Sequence, residues 1–389
     1  MRNNIAMRKR ICFVTTLAGT IRAFLIDLSI YLVEHENYDV TFISDESDIL
    51  VPYTNEYIHY IPVHMKRGMS LDGPYVVWQL YRIFKRENFD IVQYSTKNAS
   101  TYGAIAAWLA GIKCRLYCQW GMMFAALKGF KRLLLKFDEK LICRLSTVIE
   151  TESFSVYHEA VKYNIYPANK SSVIWNGSAC GVKLENYQLD MREQWRNEVR
   201  GQWNIPENAV VFGWCGRITR DKGHNELFAA FREILKTNKN ARLLMVGSYD
   251  NVETIDTELF NWAQHCPEVM FTGRVPNDEV SHMYSAMDVF CSLSYREGFG
   301  LVVIEAAAMQ LPGIVTDVLG RIDTHENMVT GITVHAREIE CVVKAMQFYI
   351  DNPEKRLEMG VEARRQCEEK YEQKELLRRL AEHRNQLII

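Results

Sequence analysis

The sequence predicts an α/β protein of two doubly wound domains, each a parallel sheet covered by helices on both faces. Three observations carry this expectation. The chain has 389 residues, two to three times an ordinary domain of roughly 100–200 residues. Short β-branched runs alternate with amphipathic stretches from one end to the other, which is the pattern of repeated βαβ units. The alternation lapses into mixed polarity at Ser171–Tyr187 and then restarts, which places a domain joint there.

In chain order, Arg10–Thr15 (RICFVT) is expected as the first strand, Ile21–Glu34 as a helix and Asp39–Ser44 as the second strand. Val76–Lys85 follows as helix, Ile91–Tyr94 as strand, Ala99–Ala110 as helix, Arg115–Cys118 as strand, Leu127–Leu145 as helix and Thr147–Ile149 as strand. Together these make one doubly wound unit. The second series runs Ala209–Trp214 (strand), Glu226–Lys236 (helix), Arg242–Val246 (strand), Glu253–Gln264 (helix), Val269–Thr272 (strand) and Glu279–Ala286 (helix). Strands at Asp288–Cys291 and Gly313–Thr316 flank a helix at Val302–Met309, and Glu338–Asp351 and Pro353–Leu387 have the i, i+3, i+4 spacing of surface helices. The expected domains are 1–175 and 185–371, with 372–389 returning to pack on the first. No repeat of 20–50 residues and no low-complexity tract is visible, which argues against a solenoid.

Composition narrows the function classes. An apolar fraction of 48% with 24% charged residues is that of a soluble globular chain. Basic and acidic residues nearly balance, 46 against 48, so nothing global favours nucleic acid, and any basic function must be a local patch. Ten cysteines are scattered without a CxxC pair or a Cys/His cluster at zinc spacing, as expected of reduced thiols in a cytosolic protein. The stretch Met1–Arg10 is polar and basic, and Arg22 and Asp27 interrupt the apolar segment after it. Neither a signal peptide nor a membrane anchor is supported, no run reaches about 18 apolar residues, and the chain is expected on the cytosolic side.

Two segments could carry chemistry. The turn after Ala209–Trp214 reads GRITRDKGHNELFAAF: Gly216 allows a tight exit, Arg217 presents a planar fork suited to phosphate oxygens, and Lys222 adds a mobile point charge. The following helix would aim its free N–H groups at the same place, which makes a diphosphate site. A basic surface loop is an equal reading of these residues. The second segment, SYREGFGLVVIEAAAMQLPGIVTD, holds Glu297 and Glu305, with Gly298 and Gly300 in an adaptable loop and a helix from Leu301 onward. An ionised glutamate only accepts hydrogen bonds, so each suits vicinal hydroxyls, of a sugar for one and a ribose for the other. The ordinary alternative is one capping and one solvated glutamate.

At these residues the chain resembles the family 4 retaining glycosyltransferases of the two-domain GT-B fold, and more narrowly the bacterial capsule, exopolysaccharide and O-antigen branch. The resemblance covers nearly the whole chain. It rests on GRITRDKG, on the block with the two glutamates and on WNGSACGVKLENY at the joint, with less specific support from ASTYGAIAAWLAGIKCRLYCQWG and FTGRVPNDEVSHMYSAMDVF. It implies that two Rossmann-like domains face each other across a cleft. Arg217 and Lys222 would neutralise the donor diphosphate, Glu305 would bind the ribose and Glu297 would stand near the transferred sugar. Amides of Phe299 and Gly300 would touch sugar and phosphate, and Val275 would lie near the base. Two departures stand out. Where many members carry a Gly-Gly pair, Leu17-Ala18-Gly19-Thr20 keeps only Gly19, and where many carry histidine beside the sugar this chain has Trp120 before Gly121. Tryptophan cannot act as a base but can stack on a sugar face.

The implied reaction moves a hexosyl or N-acetylhexosaminyl group from a nucleotide diphosphate sugar to a lipid-linked or oligosaccharide acceptor. UDP is preferred over GDP on family frequency alone. No cofactor and no metal are expected, because Arg217, Lys222 and helix N-termini would stabilise the departing charge and no Asp-x-Asp element is placed for a divalent ion. Residues 128–144 (KGFKRLLLKFDEKLICR) put Phe130, Leu134, Phe137 and Leu141 on one helical face with Lys128, Lys131, Arg132, Lys136 and Lys140 around it. The pattern alone favours a helix packed on the sheet, whereas the resemblance raises a second reading, peripheral attachment to an anionic membrane. A sugar-nucleotide 2-epimerase of similar fold and a catalytically silent nucleotide binder are the competing functions. A nicotinamide dehydrogenase is disfavoured, since Thr15–Gly19 (TTLAG) lacks GxGxxG.

Overall fold

The structure is a computed structural model and describes residues 7–66, 68, 71–250 and 252–388. Of the basic stretch Met1–Arg10, residues 1–6 lie outside the described residues. The chain divides into two compact units, Met1–Cys180 with Lys374–Ile389, and Gly181–Gln373.

The first unit is a parallel sheet of β1 (Lys9–Val14), β2 (Tyr38–Ser44), β3 (Ile58–Pro62), β4 (Ile91–Tyr94), β5 (Cys114–Gln119), β6 (Val148–Thr151) and β7 (Ser171–Ser172), in the order β3-β2-β1-β4-β5-β6-β7. Its helices are α1 (Ala18–Phe24), α2 (Ile26–His35), α3 (Gly73–Glu87), α4 (Lys97–Ala110), α5 (Gly129–Leu145) and α6 (Phe154–Lys162). All four residues of β4 (IVQY) are buried, as a strand covered on both faces requires, and its one amide side chain, Gln93, accepts a hydrogen bond from Arg384. The second unit has β8 (Val210–Cys215), β9 (Ala241–Val246), β10 (Val269–Gly273), β11 (Val289–Ser292), β12 (Gly313–Thr316) and β13 (Gly331–Val334), all parallel, in the order β10-β9-β8-β11-β12-β13. Around it lie α7 (Arg192–Gln202), α8 (His224–Thr237), α9 (Thr257–His265), α10 (Val280–Ala286), α11 (Leu301–Ala308), α12 (Ile339–Asp351) and α13 (Pro353–Tyr371), and α14 (Gln373–Gln386) returns to the first unit. Each sheet reverses its order once, between β1 and β4 and between β8 and β11. At such a switch point neighbouring loops part and leave a crevice at the carboxyl ends of the strands.

Three expected helices end differently. Ile21–Glu34 is two helices broken at Leu25. Pro353–Leu387 is broken at Glu372, because Val182 donates its N–H to the Tyr371 carbonyl at 2.8 Å and accepts from the Gln373 N–H at 2.9 Å, taking over backbone groups that a continuous helix would use internally. The helix expected over Glu253–Gln264 starts at Thr257, where the Asp256 carboxylate caps it by accepting from the Leu259 N–H at 3.0 Å.

In the first core, Ile11, Phe13, Val40, Phe42, Ile91 and Leu116 pack with Leu376, Leu377, Leu380 and Ala381 of α14. Arg384, only 1% exposed, seals this contact by donating to Glu150 at 2.9 Å and Gln93 at 3.0 Å. Burial would raise the Glu150 carboxyl, but Arg384 and His383 hold it well below the usual carboxylate range.

Candidate functional site

The site of the second unit begins where its strands end. Gly216 takes φ +137°, a conformation open to glycine, and its N–H bonds the Val246 carbonyl at 2.9 Å. Beside it a Cβ on Gly247 would lie 1.7 Å from the Gly216 carbonyl oxygen, so the chain leaving β9 approaches the one leaving β8 here only because Gly247 lacks a side chain. Arg217 points outward, with 60% of its side chain exposed, and is paired with Asp250. A single 3-10 turn, Arg220–Lys222, follows and closes at Gly223, where a Cβ would stand 2.1 Å from the Leu293 carbonyl oxygen. This contact draws the loop after β8 against the end of β11.

The two loops are then joined by polar bonds. Tyr295 donates its N–H to the Asp221 carbonyl at 2.9 Å and its hydroxyl to both oxygens of Glu226 on α8, at 2.8 and 2.6 Å. Lys222 Nζ reaches Glu297 Oε1 at 2.6 Å. The same oxygen accepts from Ser294 Oγ at 2.8 Å and from Arg321 Nη2 at 2.8 Å. Burial opposes the charge on Glu297, but the Arg321 and Lys222 cations outweigh it and hold the carboxyl at about 2. Gly298 and Phe299 lead to Gly300, which precedes α11 at φ +105°. Phe299 is buried, with its ring edge-on to Tyr371 at 5.5 Å between centroids, and Leu301 packs on a core of the second unit that includes Phe290, Ile304 and Val315.

Glu305, one turn into α11, has the opposite electrostatics. It lies among apolar side chains, and burial pushes its carboxyl up to about 7 against the hydrogen bonds from Tyr284 and Tyr187. Tyr284 donates to its Oε2 at 3.2 Å. Val275, past the end of β10, is partly buried against the same core.

Arg321 has no counterpart among the residues the sequence singles out. It begins a short turn after β12, the neighbour of β11 in the sheet, and is 2% exposed. The one available signal is a basic residue after a glycine in the loop that follows β12.

The remaining candidates lie in the first unit. Gly19 is in the first turn of α1, and a Cβ there would meet nothing within 4 Å. Neither packing nor backbone conformation therefore demands glycine at this position. Across the switch point, Thr96 holds φ +66° and ψ 153° before α4, a strained conformation for a β-branched residue. Its Oγ1 accepts from the Thr16 N–H at 2.9 Å and lies 2.9 Å from Thr16 Oγ1. Trp120 is partly buried and packs on Phe24 with centroids 5.3 Å apart, and Gly121 follows at φ +101°. On α5 the expected apolar face is mostly uncovered. Phe130 is 78% and Phe137 67% exposed, Leu133 and Leu134 are exposed as well, and only Ile142 and Cys143 are buried. This corrects the reading of α5 as a helix packing that stripe on the sheet. Among the described residues no helix is long and apolar enough to cross a membrane, and no three His, Cys, Asp or Glu side chains gather as a metal site.

A family model described as Glycosyltransferase Family 4 matches residues 21–178, and one described as Glycosyl transferases group 1 matches residues 196–366. The chain is 32% identical over 344 residues to the capsular polysaccharide biosynthesis glycosyltransferase CapM of Staphylococcus aureus, covering 88% of each. It is 23% identical over 324 residues to the UDP-Gal:alpha-D-GlcNAc-diphosphoundecaprenol alpha-1,3-galactosyltransferase of Escherichia coli, covering 81% of each. Among solved structures it is similar to HepE of Anabaena in complex with UDP and glucose, with a TM-score of 0.80 at 17% identity over 97% of this chain and 100% of that one. That likeness establishes the fold, GT-B.

Proposed function

The chain belongs to the family 4 glycosyltransferases, and from that premise we propose that it transfers a sugar, with retention, from a nucleotide diphosphate sugar to a growing lipid-linked surface glycan. Glycosyl transfer in polysaccharide biosynthesis is its activity. The observation that supports the finer reading is the meeting of the loops after β8 and β11, where Lys222 and Glu297 lie 2.6 Å apart at the switch point of the second sheet. A diphosphate placed there would be neutralised by Lys222, by Arg217 released from Asp250, and by the amides of Gly298, Phe299 and Gly300. Glu297 would hold hydroxyls of the transferred sugar, Glu305 those of the ribose, and Val275 would lie near the base. Gly19 would admit the donor phosphate close to the backbone of α1, and Trp120 and Gly121 would serve the acceptor.

In the reaction the bond from the anomeric carbon to the diphosphate oxygen breaks and its electron pair leaves with the nucleotide. The acceptor hydroxyl oxygen bonds to the anomeric carbon from the same face, and its proton passes to the departing phosphate. UDP is the preferred nucleotide: HepE was solved with UDP, and the relative from Escherichia coli is named for UDP-Gal. That relative's diphosphoundecaprenol acceptor and the uncovered face of α5 both support a lipid-linked acceptor met at an anionic membrane surface. Lys128, Lys131 and Lys140 are exposed beside that face, whereas Arg132 and Lys136 lie over the Tyr163 ring.

The test is nucleotide release from a panel of UDP- and GDP-sugars, with the anomeric configuration of the product read by NMR. Slow release of UDP that accelerates with a lipid-linked saccharide is expected. Interconversion of sugar nucleotides would instead identify an epimerase, and no turnover a silent binder. Metal independence belongs to the same proposal, so turnover should survive EDTA. Loss that magnesium restores would overturn that part.

A further inference from the structure

Glu297 receives all three of its side-chain donors on one oxygen: Lys222 Nζ, Ser294 Oγ and Arg321 Nη2 share Oε1. Among the described residues no side chain donates to Oε2. The two cations differ in freedom. Lys222 is a flexible stem with 22% of its side chain exposed, whereas Arg321 has 3% and a planar head. Arg321 is also held from behind. A Cβ on Gly320 would lie 2.4 Å from the Gly298 carbonyl oxygen, so residues 320–321 press on the peptides of the glutamate's own loop. A Cβ on Gly300 would come within 3.0 Å of Arg321 Cδ and 3.1 Å of Nη1, so the guanidinium lies directly under that loop. Nε and Nη1 are buried there without a hydrogen-bond partner among the described residues, a costly state for a charged group that structural packing alone does not explain.

We propose that Arg321 is a positioning residue for glycosyl transfer: it keeps Glu297 oriented and charge-compensated when Lys222 leaves it for the donor diphosphate. The Lys222 ammonium has three N–H donors but a single charge, so when it turns to the diphosphate it no longer compensates Glu297 in full. Without Arg321, the turn of Lys222 to the phosphate would leave a largely buried carboxylate that loses its orientation or takes up a proton, so the nucleotide would still bind while the sugar is held wrongly for transfer. With Arg321 in place the carboxylate keeps its fixed partner and Oε2 keeps its aim at the sugar. The inference rests on the proposed role of Glu297 and goes beyond it, since Arg321 acts through Glu297.

The experiment compares Arg321→Gln, Arg321→Lys, Glu297→Gln and the Glu297→Gln/Arg321→Gln double variant of the full chain. It measures hydrolysis of whichever UDP-sugar in the panel the native protein turns over fastest, and calorimetric affinity for UDP. Arg321→Gln is expected to lower kcat at least about tenfold while KM for the donor and Kd for UDP stay within about threefold. Arg321→Lys keeps the charge but not the planar head that meets Ser294 and Glu297 together, so its kcat should fall between those of Arg321→Gln and the native chain. In the Glu297→Gln background the second substitution should cost less than about threefold more, because both act on one carboxylate. Native kcat in Arg321→Gln, a loss of UDP affinity matching the loss of turnover, or effects that multiply in the double variant would each overturn the inference. Should Arg321→Gln fail to fold by thermal unfolding, Arg321→Lys decides, and native kcat there overturns it. Native kcat in Glu297→Gln sinks the reading of Glu297 itself, whereas an impaired Glu297→Gln beside an unimpaired Arg321→Gln sinks only the role of Arg321.

Discussion

At the switch point of the first sheet the loops after β1 and β4 meet through hydroxyls, with Thr16 Oγ1 and Thr96 Oγ1 2.9 Å apart. At that of the second sheet the loops after β8 and β11 meet through charge, with Lys222 and Arg321 on one oxygen of Glu297. Both sheets run parallel and reverse once beside their first strand, so topology supplies the same kind of crevice twice. The ligand each can take is then set by what the loops carry. Fixed cations and helix N-termini suit a diphosphate. Neutral hydroxyls and an aromatic face suit a sugar, which must be held without ion pairing.

The largest expected effect breaks the charged end. Glu297→Gln should lower turnover by about 100- to 1,000-fold, the range for losing one preorganised electrostatic group, while UDP affinity measured by calorimetry changes little. A parallel collapse of UDP binding would mean that the charge serves the nucleotide rather than the sugar.

Next in size is the outer surface of the first unit. Replacing Lys128, Lys131 and Lys140 with glutamine should weaken binding to anionic vesicles by about 1 kcal/mol per residue near the surface, with turnover on a water-soluble acceptor unchanged. Sedimentation with phosphatidylglycerol vesicles measures this, and unaltered binding would remove α5 from the membrane.

The two glutamates of the second unit should separate by pH. Glu297, held at about 2, stays ionised throughout the working range, whereas Glu305 sits at about 7. Ribose hydroxyls donate to a carboxylate, so UDP affinity should fall toward tenfold per pH unit as the pH drops below about 7. Glu305→Gln should flatten that dependence. The effect on the unliganded fold has the opposite sign. A carboxyl raised by folding resists ionisation, so its unfavourable contribution grows as pH rises from the ordinary glutamate value through about 7 and is absent in acid. Thermal unfolding of the native chain and Glu305→Gln against pH tests both signs.

The smallest effect sharpens the neutral end. Gly19→Ala places a methyl in open space on α1, so helix propensity should stabilise the fold by up to about 1 kcal/mol. If a phosphate approaches that backbone, turnover should fall even as the melting temperature rises. Unchanged turnover would withdraw Gly19 from the site.

Legibility in the sequence followed physical cause. Strands such as Ile91–Tyr94 and Gly313–Thr316 show as short, mostly apolar runs because cover on both faces buries every residue. The strand Ile58–Pro62 leaves no clear pattern: it lies at a sheet edge, partly exposed, with proline last. Ser171–Ser172 is too short to show a period, Gly331–Val334 is an edge strand whose two central residues are only partly buried, and Phe154–Lys162 is absent from the expected elements. Arg192–Gln202 lacks a broad apolar stripe because it is held by charge, with Arg196 and Arg200 on the two oxygens of Asp288 at 2.6 and 2.9 Å. At the site, Lys222 and Glu297 each sit in a recognisable motif, but their contact spans 75 positions and exists only because β8 and β11 are neighbours. Arg321 belongs to no motif. It matters through one strand pairing, β11 with β12, which local pattern does not encode.

The return of α14 to the first unit bears on how the molecule is made. Leu376, Leu377, Leu380 and Ala381 belong to a core whose other fully buried members precede residue 120, and Arg384 is the buried counter-ion of Glu150. A ribosome therefore releases the first unit with a groove in its core and an uncompensated acid beside it, and completes the whole second unit before the missing piece emerges. During that interval the order of synthesis runs against the order of folding. The second unit can reach its final state first, while the first waits in a form that chaperones can recognise. Released chains ending at residue 373 and at residue 389 would show this directly, as protease resistance of the first unit gained only with the longer chain.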